Sequence, residues 1–264
     1  MNSLLAFAQI ANDVYDSEYH KVDLQGWTRA TDNAAEFSAG SFLARAYHHP
    51  KLGAYTVAFR GTYLADFKDG LSDVDADIRG IGLGSISILK LAAAMSFSGH
   101  WARKSKHFWL VGHSLGGAYV QVVAARLNLF GMTFNAPGVL HLVNQLSGHP
   151  LEKLVGSVST PVMQVLVRTI GRIDLVSFLD KAASSEDNSA FPPVANYRAS
   201  GDVVSLCGIQ VGAPEQSVKV AGSSDPFNQH SMERLVEAFG GPKVVTPPPP
   251  GPQTDSLNSL RRDA

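Results

Sequence analysis

A short glycine-rich stretch near the middle of the chain carries the clearest chemical signal. Residues 112–116 read "GHSLG", with Ser114 at the centre, an apolar run over 107–111 before it and a helical pattern over 115–129 after it. A serine at a sharp strand-to-helix turn is presented as a nucleophile, and the glycines on either side leave room for the strained turn. A phosphate-binding loop would need a lysine that is missing here. The pattern therefore predicts Ser114 as a nucleophile and the backbone N–H of Leu115 as an oxyanion donor.

A serine hydroxyl is a weak nucleophile without a neighbouring base. In strand–serine–helix turns of this kind the base is a histidine that follows the nucleophile and the acid in the chain. His113 lies inside the turn, and its side chain is expected to be directed elsewhere. Of the later histidines, His141 and His149 precede any strand that could carry the acid. His230, in a loop entering a late helix, is therefore the predicted base.

The acid that orients this histidine is predicted to follow a late strand. Asp202 lies in a Gly201-Asp202 turn directly after the strand-like residues 194–199. Catalytic groups gather at the carboxyl ends of strands in open α/β sheets. Asp225 is the alternative, but it lies only five residues before His230. We therefore predict that Asp202 orients His230 and stabilises its protonated form.

Three motifs together resemble a known family. They are "VAFRGT" at 57–62, "VGHSLGGA" at 111–118 and "TFNAPG" at 133–138. They are similar to the class 3 (fungal-type) lipases and their bacterial relatives in the α/β-hydrolase superfamily, and the resemblance spans about residues 54–230. It implies Thr62 as the second oxyanion donor. Phe67 stands where this family often has tryptophan, a departure from the family's pattern.

The resemblance also implies a reaction. A serine ester hydrolase of the lipase or carboxylesterase type would cleave acyl esters of lipids through an acyl-enzyme on Ser114. A phospholipase A1 or lysophospholipase with the same residues is the alternative hypothesis. An α/β-hydrolase without activity, used as a binding module, is a third. The expected partner is a lipid or small acyl ester, with transient contact to lipid interfaces, and neither cofactor nor metal is expected.

The surrounding pattern predicts an α/β fold of the α/β-hydrolase type. Strands are predicted over 41–49, 53–59, 107–111, 131–135, 194–199 and 217–221, and helices over 86–103, 115–129 and 229–239. Strand, helix and strand in succession form a βαβ unit, which favours a parallel sheet with helices on both faces. At the N-terminus an amphipathic helix is expected, with Leu4, Leu5, Ala8, Ala11 and Tyr15 near one face.

Domain boundaries follow from breaks in this rhythm. Residues 1–240 are predicted to form a single domain, with 139–193 as a helical insertion or cap. The proline-rich residues 241–264 cannot pack a core and are expected to be a disordered tail. The apolar, glycine-punctuated segment 81–89 and the insertion are either a lid over acyl chains or ordinary core helices.

Charge and composition exclude several classes of function. The chain has 22 basic and 23 acidic residues, so a nucleic-acid-binding protein is not expected. An acidic stretch at 73–77 resembles half of a calcium loop, but Ile78 and Gly84 break the pattern. The single cysteine, Cys207, cannot form an intramolecular disulfide and is expected to be a small core residue.

No segment has the pattern of a signal peptide or of a membrane-spanning helix. The expected location is therefore the cytoplasm, or outside the cell by a non-classical route. The oligomeric state stays open.

Overall fold

The computed structural model describes residues 3–16, 23–61, 88–140, 194–221 and 225–242. Within these ranges the helices are α1 (Ser3–Asp13), α2 (Ile88–Ala102), α3 (Leu115–Leu127), α4 (Pro226–His230) and α5 (Met232–Ala238), with a 3-10 turn at Pro50–Leu52. The strands are β1 (Thr28–Arg29), β2 (Glu36–Ala39), β3 (Phe42–His49), β4 (Ala54–Phe59), β5 (Phe108–His113), β6 (Gly131–Phe134), β7 (Val194–Ala199) and β8 (Gln216–Val218).

Several predictions from the sequence fall outside the described residues. They concern Thr62, Phe67, the acidic stretch, most of the 81–89 segment, His141, His149, all but two residues of the 139–193 insertion and all but two residues of the 241–264 tail. These statements stay predictions.

The strands form one sheet in the order β1-β3-β4-β5-β6-β7-β8, with β2 also paired to β3. Pairing is antiparallel from β1 to β4 and parallel from β4 to β8. The register places Phe59 opposite Gly112, and His113 opposite Phe134. The predicted sheet is mostly parallel, as observed, and its carboxyl-terminal edge brings the turns after β4, β5 and β6 together.

Helices cover both faces of this sheet. Because side chains alternate along a strand, neighbouring residues of β5 face opposite sides. Leu110 packs into a cluster with α2 and α3, which we call the α3 face, and Val111 packs into a cluster with α1 and α5, which we call the α1 face. In the part of the chain that the structure describes, no helix is long and apolar enough to cross a membrane.

Beyond small shifts of their ends, the observed elements depart from the prediction in a late helix and in two short strands. The predicted late helix 229–239 is two helices, α4 and α5, separated at Ser231. The strands β1 and β2 were not predicted, because they have two and four residues and half-buried or exposed side chains rather than an apolar alternation. These two segments form strands because they pair with β3, and their own residues do not indicate it.

The N-terminal helix differs from the amphipathic helix that the sequence predicts. In α1 every residue from Leu5 to Ala11 is buried, together with Asp13. The helix lies between the sheet and α5, so it has no broad solvent face. Tyr15 follows the helix in a turn and is half-buried.

Cys207 also differs from its prediction. It is a half-buried cysteine whose Sγ lies 3.7 Å from the Val203 carbonyl oxygen, and the prediction of a core residue is wrong. It lies in the loop between β7 and β8, where backbone turns rather than side-chain packing determine the conformation.

Candidate active site

Ser114 stands at the junction between β5 and α3 with a strained backbone. Its φ is 56° and its ψ is −129°, in a region that non-glycine residues rarely adopt. Such strain costs of order 1–3 kcal/mol and persists only where the surrounding structure imposes it. A serine with such a backbone, placed directly between a strand and a helix, matches the backbone geometry of a nucleophile elbow.

The close packing around Ser114 requires glycine two residues before and two residues after it. A methyl group on Gly112 would lie 2.4 Å from the Gly116 backbone, and one on Gly116 would lie 2.0 Å from the Phe59 carbonyl oxygen. Both distances are impossible for real carbon atoms. The glycines on either side of Ser114 are therefore a steric condition for the turn.

The first turn of α3 supplies backbone N–H groups beside Ser114. Gly117 and Ala118 donate back to the Ser114 carbonyl at 2.9 and 3.3 Å. Leu115, the first residue of the helix, has an N–H that no carbonyl within the helix can accept. Its position is the one expected of an oxyanion donor.

The turn after β4 lies against Ser114. A methyl group on Gly61 would come within 2.6 Å of the His113 carbonyl oxygen and 3.0 Å of Ser114 Cβ. The Gly61 N–H donates to the Tyr15 hydroxyl at 3.0 Å. The structure thus brings the start of the predicted oxyanion turn to Ser114, while Thr62 lies just outside the described residues.

Asp202 and His230 form a buried pair. Asp202 Oδ1 lies 2.8 Å from His230 Nδ1, and the two residues are 0% and 3% exposed. Asp202 is in the turn after β7, and His230 is the last residue of α4. The alternative acid, Asp225, is exposed. The carboxylate that the structure places on this imidazole is Asp202.

The Asp202 carboxylate is held in its ionised form. Burial alone would raise the pKa of Asp202, but the hydrogen bond and charge interaction with His230 and the donors of Ser205 outweigh it and lower that pKa. The Ser205 N–H donates to Oδ2 at 3.0 Å, and the Val204 N–H donates to Oδ1 at 3.3 Å. An ionised carboxylate can fix the orientation of an imidazole and stabilise its protonated state.

His113 links β5, the strand that precedes Ser114, to His230. Its Nε2 lies 2.8 Å from the His230 carbonyl oxygen, and the two imidazole rings are 4.8 Å apart. Ser114, the next residue, is 5% exposed. The structure therefore gathers Ser114, the Asp202–His230 pair and the Gly61 turn at one edge of the sheet.

Sequence reasoning missed three residues around this site. The side chain of His113, expected to be directed elsewhere, contacts His230, and Tyr15 and Asn135 join the same set of hydrogen bonds. Asn135 has a φ of 47°, and its Nδ2 donates to the Gln229 and His230 carbonyls at 3.1 and 3.0 Å. The asparagine in "TFNAPG" was the available signal, since asparagine tolerates positive φ.

The described ranges contain no group of three or more His, Cys, Asp or Glu side chains that could hold a metal ion.

Comparison with known proteins gives one match and one negative result. A sequence family described as phospholipase-like, the Tle-like phospholipase domain, matches residues 6–147, which is more than half of the chain. The chain belongs to this family. The matched region of the Tle-like phospholipase domain includes Tyr15, Gly61, Ser114 and Asn135, and the Asp202–His230 pair follows it. No curated protein matches the sequence.

Proposed function

We propose that this protein hydrolyses the acyl esters of phospholipids through an acyl-enzyme on Ser114. The observation that carries the proposal is the strained Ser114 backbone at the β5–α3 junction, beside a buried Asp202–His230 pair. Family membership supports the substrate class, and it favours the phospholipase alternative over a triacylglycerol lipase or a simple carboxylesterase. The hydrogen bonds that join Asp202 to His230 and to the Ser205 N–H support the proposed proton transfer.

In the proposed reaction His230 removes the proton from the Ser114 hydroxyl as its oxygen attacks the ester carbonyl carbon. Asp202 holds Nδ1 of the imidazole, so that Nε2 is the nitrogen that accepts the proton. The tetrahedral oxyanion is bound by the N–H of Leu115 and, as we propose, the N–H of Thr62. Collapse transfers the proton from His230 to the leaving alcohol, and water then releases the fatty acid by the same steps.

We further propose that the site follows the class 3 lipase arrangement within an α/β-hydrolase fold. The support is the position of Gly61, which lies against Ser114 as the residue before the second donor should. The antiparallel entry into a mostly parallel sheet, with helices on both faces, is compatible with that fold. We also propose transient contact with lipid interfaces, since phospholipid substrates are presented there.

The test compares the wild type with Ser114→Ala on three substrate sets. These are p-nitrophenyl esters, triglyceride emulsions and micelles of phosphatidylcholine. In the phosphatidylcholine the two acyl chains of each molecule differ in length. We expect fatty-acid release from the phospholipid and loss of at least about 10⁴-fold in kcat for Ser114→Ala. Ser98→Ala is the matched control, since Ser98 is buried in α2 and its Oγ donates to the Ala94 carbonyl.

Three results would count against the proposal or a part of it. Full activity of Ser114→Ala would exclude Ser114 as the nucleophile. Failure of a fluorophosphonate probe to label the folded wild-type protein would support a binding module without activity. Preference for triglyceride over phospholipid would keep the chemistry and overturn the substrate class. The identity of the released chain would separate an A1 from an A2 specificity.

A further inference from the structure

We propose that Tyr15 and His113 are positioning residues that lock the base and the oxyanion turn to each other through one chain of hydrogen bonds. The chain runs from the Gly61 N–H to the Tyr15 hydroxyl at 3.0 Å, from that hydroxyl to His113 Nδ1 at 2.8 Å, and from His113 Nε2 to the His230 carbonyl at 2.8 Å. It rests on the proposed function, because it assigns roles around that same site.

The direction of every proton in this chain is determined. A carbonyl oxygen only accepts, so His113 Nε2 must carry the hydrogen that bonds the His230 carbonyl. Burial, followed by repulsion from the charge of His230, lowers the pKa of His113 from 6.5 to about 3, so the ring is neutral at ordinary pH. Its Nδ1 is then an acceptor, and the Tyr15 hydroxyl must donate to it while accepting from Gly61.

Two arginines hold Tyr15 at the end of α1. Arg29 Nη2 donates to the Asp13 and Asp16 carbonyls at 3.2 and 3.1 Å, and Arg45 Nη1 donates to the same two carbonyls at 3.2 and 3.0 Å. Cations at a helix carboxyl terminus also interact favourably with its dipole. The turn that carries Tyr15 is therefore fixed to β1 and β3, and the hydroxyl is held where Gly61 and His113 meet.

The His230 carbonyl oxygen accepts a hydrogen bond from a second donor besides His113. Asn135 Nδ2 also donates to the His230 carbonyl, at 3.0 Å, and Asn135 Oδ1 accepts from the Ala199 N–H at 2.8 Å. Ala199 ends β7, three residues before Asp202. The backbone of the base is thus tied to β5 by His113 and to β7 by Asn135, which limits the movement of His230 relative to both Ser114 and Asp202.

Displacement of a catalytic group by about 1 Å can cost about 100-fold in rate, so the loss of this chain should reduce turnover. We expect Tyr15→Phe and His113→Leu each to lower kcat about 10- to 100-fold with KM within about twofold of wild type. His113→Gln keeps an N–H donor that can reach the His230 carbonyl, so it should recover most of the kcat that His113→Leu loses.

Tyr47→Phe is the matched control for Tyr15→Phe. Tyr47 is fully buried, its hydroxyl donates to Asp13 Oδ2 at 2.7 Å, and none of its hydrogen bonds reaches Gly61, His113 or His230. We expect a lower Tm with unchanged kcat in Tyr47→Phe. If Tyr15→Phe also keeps the wild-type kcat, or if His113→Gln is as slow as His113→Leu, the positioning role is wrong.

A spectroscopic experiment tests the chain without relying on activity. In protein with ¹⁵N-labelled histidine, the His113 ring should show the neutral Nε2–H tautomer and should not titrate between about pH 5 and 8. Titration near the ordinary pKa, or an Nδ1–H tautomer, would overturn the inference even if the ester hydrolysis is confirmed. If no ester is hydrolysed, the proposed function fails while the spectrum still decides on the chain.

Discussion

The two faces of the sheet use buried polar groups in different ways. On the α3 face the polar side chains hold loops, since Gln121 bonds the Pro137 carbonyl and the Val211 N–H, and Asn196 bonds the Val211 carbonyl. On the α1 face the hydrogen bonds of polar side chains extend to the site. Arg45 bonds the turn that carries Tyr15, and the Tyr15 hydroxyl bonds His113. The α3 face is therefore mainly a packed support, whereas the α1 face also positions the groups of the site.

The α3 face owes its stability to close packing. Leu110, Val120 and Phe59 are fully buried there in a cluster that combines aromatic rings with alanine and valine side chains. Interiors of this density leave little room for volume changes. Substitutions on the α3 face should therefore alter the free energy of unfolding and leave turnover per folded molecule unchanged.

The largest expected effect lies at the site itself. Asp202→Asn removes the charge that orients His230, and kcat should fall by about 10³- to 10⁴-fold with the fold retained. Steady-state kinetics on the phospholipid substrate measures the loss. Asp32→Asn is the control, since Asp32 forms an exposed ion pair with Lys104. A kcat within about twofold of wild type for Asp202→Asn would contradict the assigned acid.

The next prediction concerns packing on the α3 face. Leu110→Ala should lower the free energy of unfolding by about 2–5 kcal/mol, because Leu110 is 0% exposed and the truncation leaves a cavity. Urea unfolding measures this change. Per molecule labelled by a fluorophosphonate, kcat should stay at the wild-type value. A large fall in the kcat of Leu110→Ala without a change in stability would contradict the view that the α3 face mainly stabilises the fold.

The third prediction concerns pH and the α1 face. The pKa of His113 is lowered from 6.5 to about 3 by burial and by His230. Between these values the unfolded chain binds a proton that the folded protein does not, so stability falls as pH falls, by up to about 1.4 kcal/mol per pH unit. His113→Gln should show a shallower loss.

The measurement for this prediction is urea unfolding of both proteins from about pH 7 to 4. Asp202 and Tyr15 are present in each, and the lowered pKa of Asp202 adds its own loss of stability at acidic pH in both. The difference in slope therefore isolates His113. Equal slopes would show that its imidazole is protonated in the folded protein.

The smallest expected effect is that of Tyr47→Phe. The hydroxyl of Tyr47 donates to the buried Asp13 carboxylate, so its loss should cost about 1–3 kcal/mol of stability. Thermal unfolding measures it, and kcat should not change. A parallel loss of kcat would show that any loosening of α1, and not the Tyr15 hydroxyl alone, disturbs the site.

Much of the fold was predictable from local patterns. The strands β3 to β7 and the helices α2 and α3 were predicted close to their observed bounds, because apolar periodicity and glycine breaks are properties of neighbouring residues. The edge strands β1 and β2 and the full burial of α1 were not, because both depend on segments distant in the chain. The residues next to such a segment in the sequence do not indicate which distant segment it pairs with.

By itself the sequence determined which residue types the site contains. Gly112 leaves room for the Gly116 backbone within the same five residues, whereas the need for glycine at Gly116 comes from the Phe59 carbonyl of β4. Chain order pointed to Asp202 and His230, and the tertiary structure decided that their side chains meet at 2.8 Å. It alone decided that Tyr15 and His113 reach that site, because hydrogen bonds across 98 and 117 residues exist only once the sheet has formed.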